Sequence, residues 1–272
     1  MSTADSCEET LSEKRGHGSP AEPAVGATPA VGATPAVDTL LLGFGLSSEQ
    51  GSIGFCGVYL VSSGARRILF DCAHAGRRRA LYRALARRGL TLRDIDTLVL
   101  SHAHYDHIQN ADLFPHADVL LHPAEADHLA RAPLDDPVTP PWSGAILRSL
   151  SVRAAGDGLA LAPGVTVTAL PGHTAGSIGL TVETAAGTAL LTGDAVSSAR
   201  ALRSGRCTVI SAGEDAAARS MEHVRAHADL VYPGHDRPFT VVARAPGSYL
   251  LPRADLVTAA PDPLTDRSSA SP

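Results

Sequence analysis

Cysteine is scarce in this 272-residue chain: Cys7, Cys56, Cys72 and Cys207 are the only four, and no two form a CxxC pair. That spacing excludes a disulfide framework and a zinc ribbon, and a reducing cytoplasm is the expected compartment. Long apolar runs are also missing; none approaches the roughly 18–20 residues a bilayer-spanning helix requires. The opening segment MSTADSCEETLSEKRGHGSP lacks a basic stretch followed by an apolar one, so no secretory signal is read there. Neither sign of charge dominates. A net charge of −5 gives no basic surface for nucleic acid or an anionic membrane. What is present is a hydrophobic content of 44%, ample for a buried core. These limits point to an ordinary soluble globular protein, with nucleic acid and membrane partners not expected. Oligomeric state is not readable.

Length fits one domain of about 200–250 residues with tails. Residues 1–37 contain the hexamer VGATPA twice, at 25–30 and 31–36, and this low-complexity segment is expected to be disordered. A single sequence leaves the translation start open. The ordered domain is expected over 38–245, and 246–272 has the character of a second, mostly disordered tail. Inside the domain, TLLLGFG, CGVYLVSS and ARRILFD read as three strands, and RRRALYRALARRGL (77–90) as a helix burying Leu81, Ala84 and Leu85. Its arginines are read as a solvated face. DTLVL (96–100) and ADVLLH are further strands, and PAEADHLAR is a helix opened by Pro123. Residues 132–150 look like a long loop, with Trp142 as its anchor. VTVTAL, SIGLTVET and GTALLTG are strands, a helix spans about 214–227, and DLVYPGH is a final short strand. Strands interleaved with helices imply an α/β sandwich with helices outside.

The chemistry lies where these strands end. SHAHYDHIQN (101–110) puts three histidines and an aspartate into the six positions from His102 to His107. His102 and His104, two apart at a strand end, can face the same side; Asp106 and His107 can address a second point nearby. Three more polar residues follow glycines directly after apolar strands: His173, Asp194 and His235. Seven nitrogen and oxygen donors without a thiolate suit two divalent ions, zinc above all, with iron or manganese as substitutes.

HxHxDH followed by separate Gly-His, Gly-Asp and Gly-His turns resembles the metallo-β-lactamase-fold hydrolase superfamily over residues 38–243, in particular its small single-domain branch with the quorum-quenching lactonases. The resemblance implies an αββα sandwich. It implies His102, His104 and His173 on one metal, and Asp106, His107 and His235 on the other. Asp194 and a hydroxide nucleophile would bridge them. Asp106 would be the catalytic residue, holding the second metal and passing on a proton, and Asp71, in ILFDCAHAG, would orient ligand histidines.

Departures from the family's patterns narrow the activity. No cysteine stands at position 194, so β-lactam hydrolysis is not expected. Only 37 residues (272 − 235) follow His235, mostly tail-like, so a glutathione-binding helical domain is not expected. The reading is a dinuclear hydrolase of a lactone, thioester or ester. The alternatives are a phosphodiesterase or nuclease, and an iron-dependent oxidoreductase resembling persulfide dioxygenases. His116, His122, His128, His223 and His227 are read as surface or helix-end residues, and Cys72 as packing. Whether His74 or Arg200, Arg203 and Arg206 touch substrate stays open.

Overall fold

The computed structural model describes residues 34–132, 134, 136–207 and 211–253. Its first half supplies β1 (Ala36–Leu41), β2 (Phe44–Ser48), β3 (Gly51–Phe55), β4 (Val58–Ser63), β5 (Arg66–Phe70), β6 (Thr97–Val99), β7 (Asp118–Leu121) and β8 (Val152–Ala154). The second half supplies β9 (Ala160–Ala162), β10 (Val165–Ala169), β11 (Ile178–Thr184), β12 (Gly187–Gly193), β13 (Leu230–Pro233), β14 (Phe239–Val242) and β15 (Ala245–Tyr249). Among the described residues five α-helices accompany them: α1 (Arg78–Ala86), α2 (Tyr105–Ile108), α3 (Pro123–Arg131), α4 (Ala199–Ser204) and α5 (Glu214–His227). A six-stranded sheet runs β1-β4-β5-β6-β7-β8, a seven-stranded sheet runs β15-β14-β13-β12-β11-β10-β9, and β2-β3 stands apart as a hairpin.

The αββα layering follows from which face each side chain takes. Along β4, Tyr59 and Val61 enter the core between the sheets, while Val58 and Leu60 pack toward α1. Ile68 and Phe70 of β5 likewise face the second sheet, and Leu69 faces the helix. In the second sheet Leu191 and Tyr232 meet that inner core, and Leu190 and Val231 pack on α4 and α5. Period-2 alternation with both faces covered produces near-continuous apolar runs such as CGVYLV and TALL, the pattern read from the sequence. Helix α1 buries Leu81, Ala84 and Leu85 as expected, and α5 buries Ala217, Ser220, Met221 and Val224. Among the described residues, no helix is long and apolar enough to cross a membrane.

The structure corrects several readings. DLVYPGH is not the last strand: β14 and β15 follow, so the folded sheet passes the expected boundary at 245 and reaches Tyr249. Their hairpin turns through Ala243 (φ 48°) and Arg244 (φ 65°), left-handed positions that Gly or Asn ordinarily fills. A turn without those residues carries no hairpin signal. At the other end β1 starts at Ala36, inside the segment assigned to the tail. Residues 1–33, like 254–272, lie outside the described residues. The stretch between TLLL and CGVY forms the β2–β3 hairpin rather than a simple turn. Trp142 is not an anchor, being 55% exposed; buried Thr139, Ser143 and Leu147 fix that loop instead.

Strands β5, β6 and β7 pair in parallel, as do β12 and β13, so the loops after them share one edge of the sandwich. The two sheets are tied there by Ile178 N–H donating to Ser101 O (2.9 Å) and Gly57 N–H donating to Gly234 O (2.6 Å).

Candidate metal centre

Five separate loops deliver the polar residues to this edge. Asp71 follows β5, and His102 to His107 follow β6. His173 lies between β10 and β11, Asp194 after β12 and His235 after β13. The carboxyl ends of strands are where an α/β fold leaves its loops free to carry chemistry. Gly234 shows why a glycine precedes His235: a Cβ there would strike Asp194 Oδ1. The crowding lets two strand ends approach closely enough to share one site.

All seven side chains singled out in the sequence come together. The donor atoms of His102, His104 and His173 lie within 4.8 Å of one another, as do those of Asp106, His107 and His235, and those of His102, His107 and Asp194. Asp194 sits between the first two groups: Oδ2 is 3.5 Å from His173 Nε2 and 3.1 Å from His235 Nε2, and Oδ1 is 3.5 Å from His107 Nε2. Asp106 Oδ2 is 3.5 Å from His235 Nε2 and 3.8 Å from His107 Nε2.

Four inward atoms of this cluster, His102 Nε2, His107 Nε2, Asp106 Oδ2 and Asp194 Oδ1, are buried without a hydrogen-bond partner. A buried polar atom left so costs about 1–3 kcal/mol, and native folds rarely place several side by side. Divalent cations would satisfy all four at once. The field agrees. Burial, then the neighbouring imidazoles, hold His102 and His104 well below the ordinary histidine range, which keeps both rings neutral with a lone pair to donate. At His107 burial works in the same direction but is outweighed by Asp71, Asp106 and Asp194, which push its pKa up to about 10. Burial would raise the Asp194 carboxyl, yet His235 and His107 hold it well below the usual carboxylate range. The cluster therefore favours positive charge at its centre, and its five imidazoles and two carboxylates suit borderline ions such as zinc.

A second set of residues fixes these rings. Asp71 Oδ2 accepts from His107 Nδ1 (2.8 Å) and from the Ser101 hydroxyl (2.9 Å), and Oδ1 accepts from Ser101 N–H (2.8 Å). Ser101 Oγ in turn contacts His102 Nδ1 at 2.9 Å. Both histidines are thus turned so that Nε2 faces the centre. Asp71 adopts φ 59°, a left-handed backbone that Asn also tolerates. Asp71→Asn should therefore keep the loop while removing the charge. Affinity for zinc, measured by chelator competition, is expected to fall about 10–100-fold; unchanged affinity would remove Asp71 from this role.

Sequence reasoning missed Glu125. This α3 residue is fully buried, and its carboxylate accepts from Ala103 N–H and Gly176 N–H, each at 2.8 Å. It pins the His102–His104 loop to the loop that follows His173. Glu125→Ala leaves both N–H groups buried and unpaired, so a loss of about 2–4 kcal/mol in unfolding free energy is expected by urea denaturation. A loss below about 0.5 kcal/mol, within the range of ordinary surface substitutions, would show that water replaces the carboxylate.

His122, His223 and His227 keep the roles expected of them: His122 caps α3 by accepting from Ala124 N–H (3.2 Å), and His223 and His227 stack on α5. Cys72 is buried with Sγ 3.1 Å from His107 O, a packing position. Arg200, Arg203 and Arg206 are all exposed. A recess of about 300 Å³ adjoins the cluster, lined by Leu42, Phe44, His235, Asp236, Arg237 and Arg253 among others. A larger one of about 680 Å³, beside the C-terminal end of α1, is lined by none of the seven cluster residues.

A family model described as "Metallo-beta-lactamase superfamily" matches residues 52–235. The human metallo-beta-lactamase domain-containing protein 1 is 34% identical over 183 residues, covering 65% of this chain and 61% of the human protein. The chain thus spans less than two thirds of that relative's length. In fold, an AiiA variant from B. thuringiensis, solved with N-decanoyl-L-homoserine at its active site, aligns with TM-score 0.60 and 18% identity, covering 74% of this chain and 92% of that one. AidC, a dizinc quorum-quenching lactonase, aligns with TM-score 0.57 and 20% identity, covering 68% and 74%.

Proposed function

Because the chain belongs to the metallo-beta-lactamase superfamily, we propose that it is a dinuclear metal-dependent hydrolase of a small acyl substrate, a lactone, thioester or ester, working in a reducing cytoplasm. The observation that carries this is the convergence of seven donors into three overlapping groups around one point. In this reading His102, His104 and His173 would hold one ion and Asp106, His107 and His235 the other, with Asp194, whose oxygens lie between the two groups, able to serve both. Zinc fits the donors best, with iron or manganese as substitutes. When bound, two such ions supply a water nucleophile at neutral pH and polarise the acyl oxygen.

The chain's own groups do the rest. Asp71 and Ser101 keep His102 and His107 in register, and in this reading Asp106 Oδ2, buried without a hydrogen-bond partner, takes a proton and delivers it to the leaving oxygen or sulfur. Leu42 and Phe44 give the adjoining recess an apolar wall for an acyl group. The 132–150 loop meets the site at α2, where Tyr105 N–H donates to Val138 O (2.9 Å). The lactonase neighbours support the acyl class through the homoserine compounds bound to them.

The test combines elemental analysis with a panel of lactones, thioesters, activated esters and phosphodiesters. About two equivalents of metal and acyl hydrolysis with weak salt dependence are expected. Efficient cleavage of RNA or DNA with esters and lactones untouched would transfer the site to phosphodiester chemistry, whose several phosphate contacts make it strongly salt-dependent.

A further inference from the structure

The loop after β5 is strained at two places. Asp71 (φ 59°) and Ala73 (φ 63°) both take left-handed backbone without being glycine. Such positions persist only where surrounding contacts impose them. Here Asn110 imposes them: its Nδ2 donates to Cys72 O (2.9 Å) and to His74 O (3.0 Å), while Gln109 Oε1 accepts from Ala75 N–H (3.0 Å). The turn at Asp71 serves His107. The second turn, at Ala73, has no such use for Asp71; what it sets is the place of His74.

His74 is only 9% exposed, and its two ring nitrogens differ. Nδ1 accepts from Gly76 N–H (3.1 Å), so in the neutral ring the proton resides on Nε2. Nε2 has no partner. The ring meets Phe55 edge-on, with centroids 4.9 Å apart. Phe55 directly follows Gly54, where a Cβ would run into Asp106 Oδ2 and come within 2.8 Å of His235 Cε1. The end of β3 thus lies against the cluster, and His74 sits beside that end. Asp106 is near enough to act on its proton electrostatically, yet burial and then Arg77 lower its pKa, so the ring stays neutral. Arg77 is itself fixed, donating to Cys56 O (2.6 Å) and Leu42 O (3.0 Å) beneath Phe44 and Phe55.

A buried N–H without an acceptor, held by a strained loop at the edge of the cluster, is a donor waiting for a ligand atom. We propose that His74 is a catalytic residue whose Nε2–H donates a hydrogen bond to the acyl oxygen of the bound substrate as negative charge builds on it. The proposal rests on the acyl-hydrolase reading above. No proton is transferred: a neutral imidazole that gave up Nε2–H would become an anion, so the bond stabilises charge without moving it, as oxyanion-hole donors do. Asp106 remains the group that carries the proton.

The test uses metal-loaded protein and two variants, with metal content and melting temperature recorded for each. His74→Phe keeps a ring against Phe55 and removes the donor; His74→Gln restores an N–H. With the ester or lactone turned over best, kcat of His74→Phe is expected to fall about 10²–10³-fold, with KM within about threefold of the parent protein. His74→Gln should recover at least about tenfold of that loss. A second measurement needs no turnover. Calorimetric titration with acetohydroxamate, whose oxygens can accept from Nε2–H, should show affinity about tenfold weaker in His74→Phe. Binding of ethanethiol, which carries no oxygen, should be unchanged. A His74→Phe variant that binds acetohydroxamate as tightly as the parent protein overturns the proposal. If the parent protein hydrolyses no acyl compound, the acyl reading fails by itself, and the acetohydroxamate comparison still decides the role of His74.

Discussion

Stripping the metals with a chelator is expected to abolish turnover and to lower the midpoint of thermal unfolding by about 10 °C, both returning on addition of zinc or manganese. Four inward atoms, His102 Nε2, His107 Nε2, Asp106 Oδ2 and Asp194 Oδ1, have no hydrogen-bond partner. Without a cation these atoms stay buried without a hydrogen bond. The site then relies on a proton at His107, whose pKa is pushed up to about 10 because Asp71, Asp106 and Asp194 outweigh its burial. A cation that binds the folded chain and not the unfolded one adds about 4 kcal/mol of stability at a thousandfold excess over its dissociation constant. For a domain of this size each kcal/mol moves the midpoint by about 2–4 °C. Scanning calorimetry of chelated and reloaded protein checks it. Identical midpoints, with hydrolysis surviving chelation, would mean that the cluster is a hydrogen-bonded core and not a metal centre.

Much of this site was legible in the sequence because its signals are local. His102, His104, Asp106 and His107 fall within six residues after an apolar strand, and His173, Asp194 and His235 each follow a glycine at a strand end. Spacing and backbone freedom suffice to bring such residues to one edge. The helix α5 was legible for a similar reason, its apolar positions repeating at helical intervals from Ala217 to Val224. Glu125 was not legible, since its two partners lie 22 and 51 residues away and PAEADHLAR reads as an ordinary surface helix. Neither was the β14–β15 hairpin, turned by Ala243 and Arg244 where the local code calls for Gly or Asn. His74 stood between these cases. Its place after Asp71 was visible, but the unpartnered Nε2 depends on Gly76, Asn110 and Phe55 acting together.

Asp106→Asn is expected to lower kcat by about 10² or more, in line with general acid–base contributions. Asparagine preserves the shape of the side chain but removes the charge and the ability to accept a proton. The position is sensitive because it is tightly enclosed: Asp106 is 5% exposed, and its Oδ2 lies 3.5 Å from His235 Nε2 with no hydrogen-bond partner. Turned one way, the asparagine amide would direct N–H groups at His235 and the ion; turned the other, it would offer only a neutral carbonyl. Either arrangement weakens the Asp106–His107–His235 group, so part of the loss is expected to appear as lower occupancy of one of the two metals. Metal content separates the two contributions. A variant that holds both ions yet turns over slowly assigns the loss to proton transfer, and the deficit should then shrink with substrates whose leaving group needs no proton, such as nitrophenyl esters. A variant that turns over normally with both ions bound would show that the proton travels by another group, and Asp106 would keep only its place among the ligands.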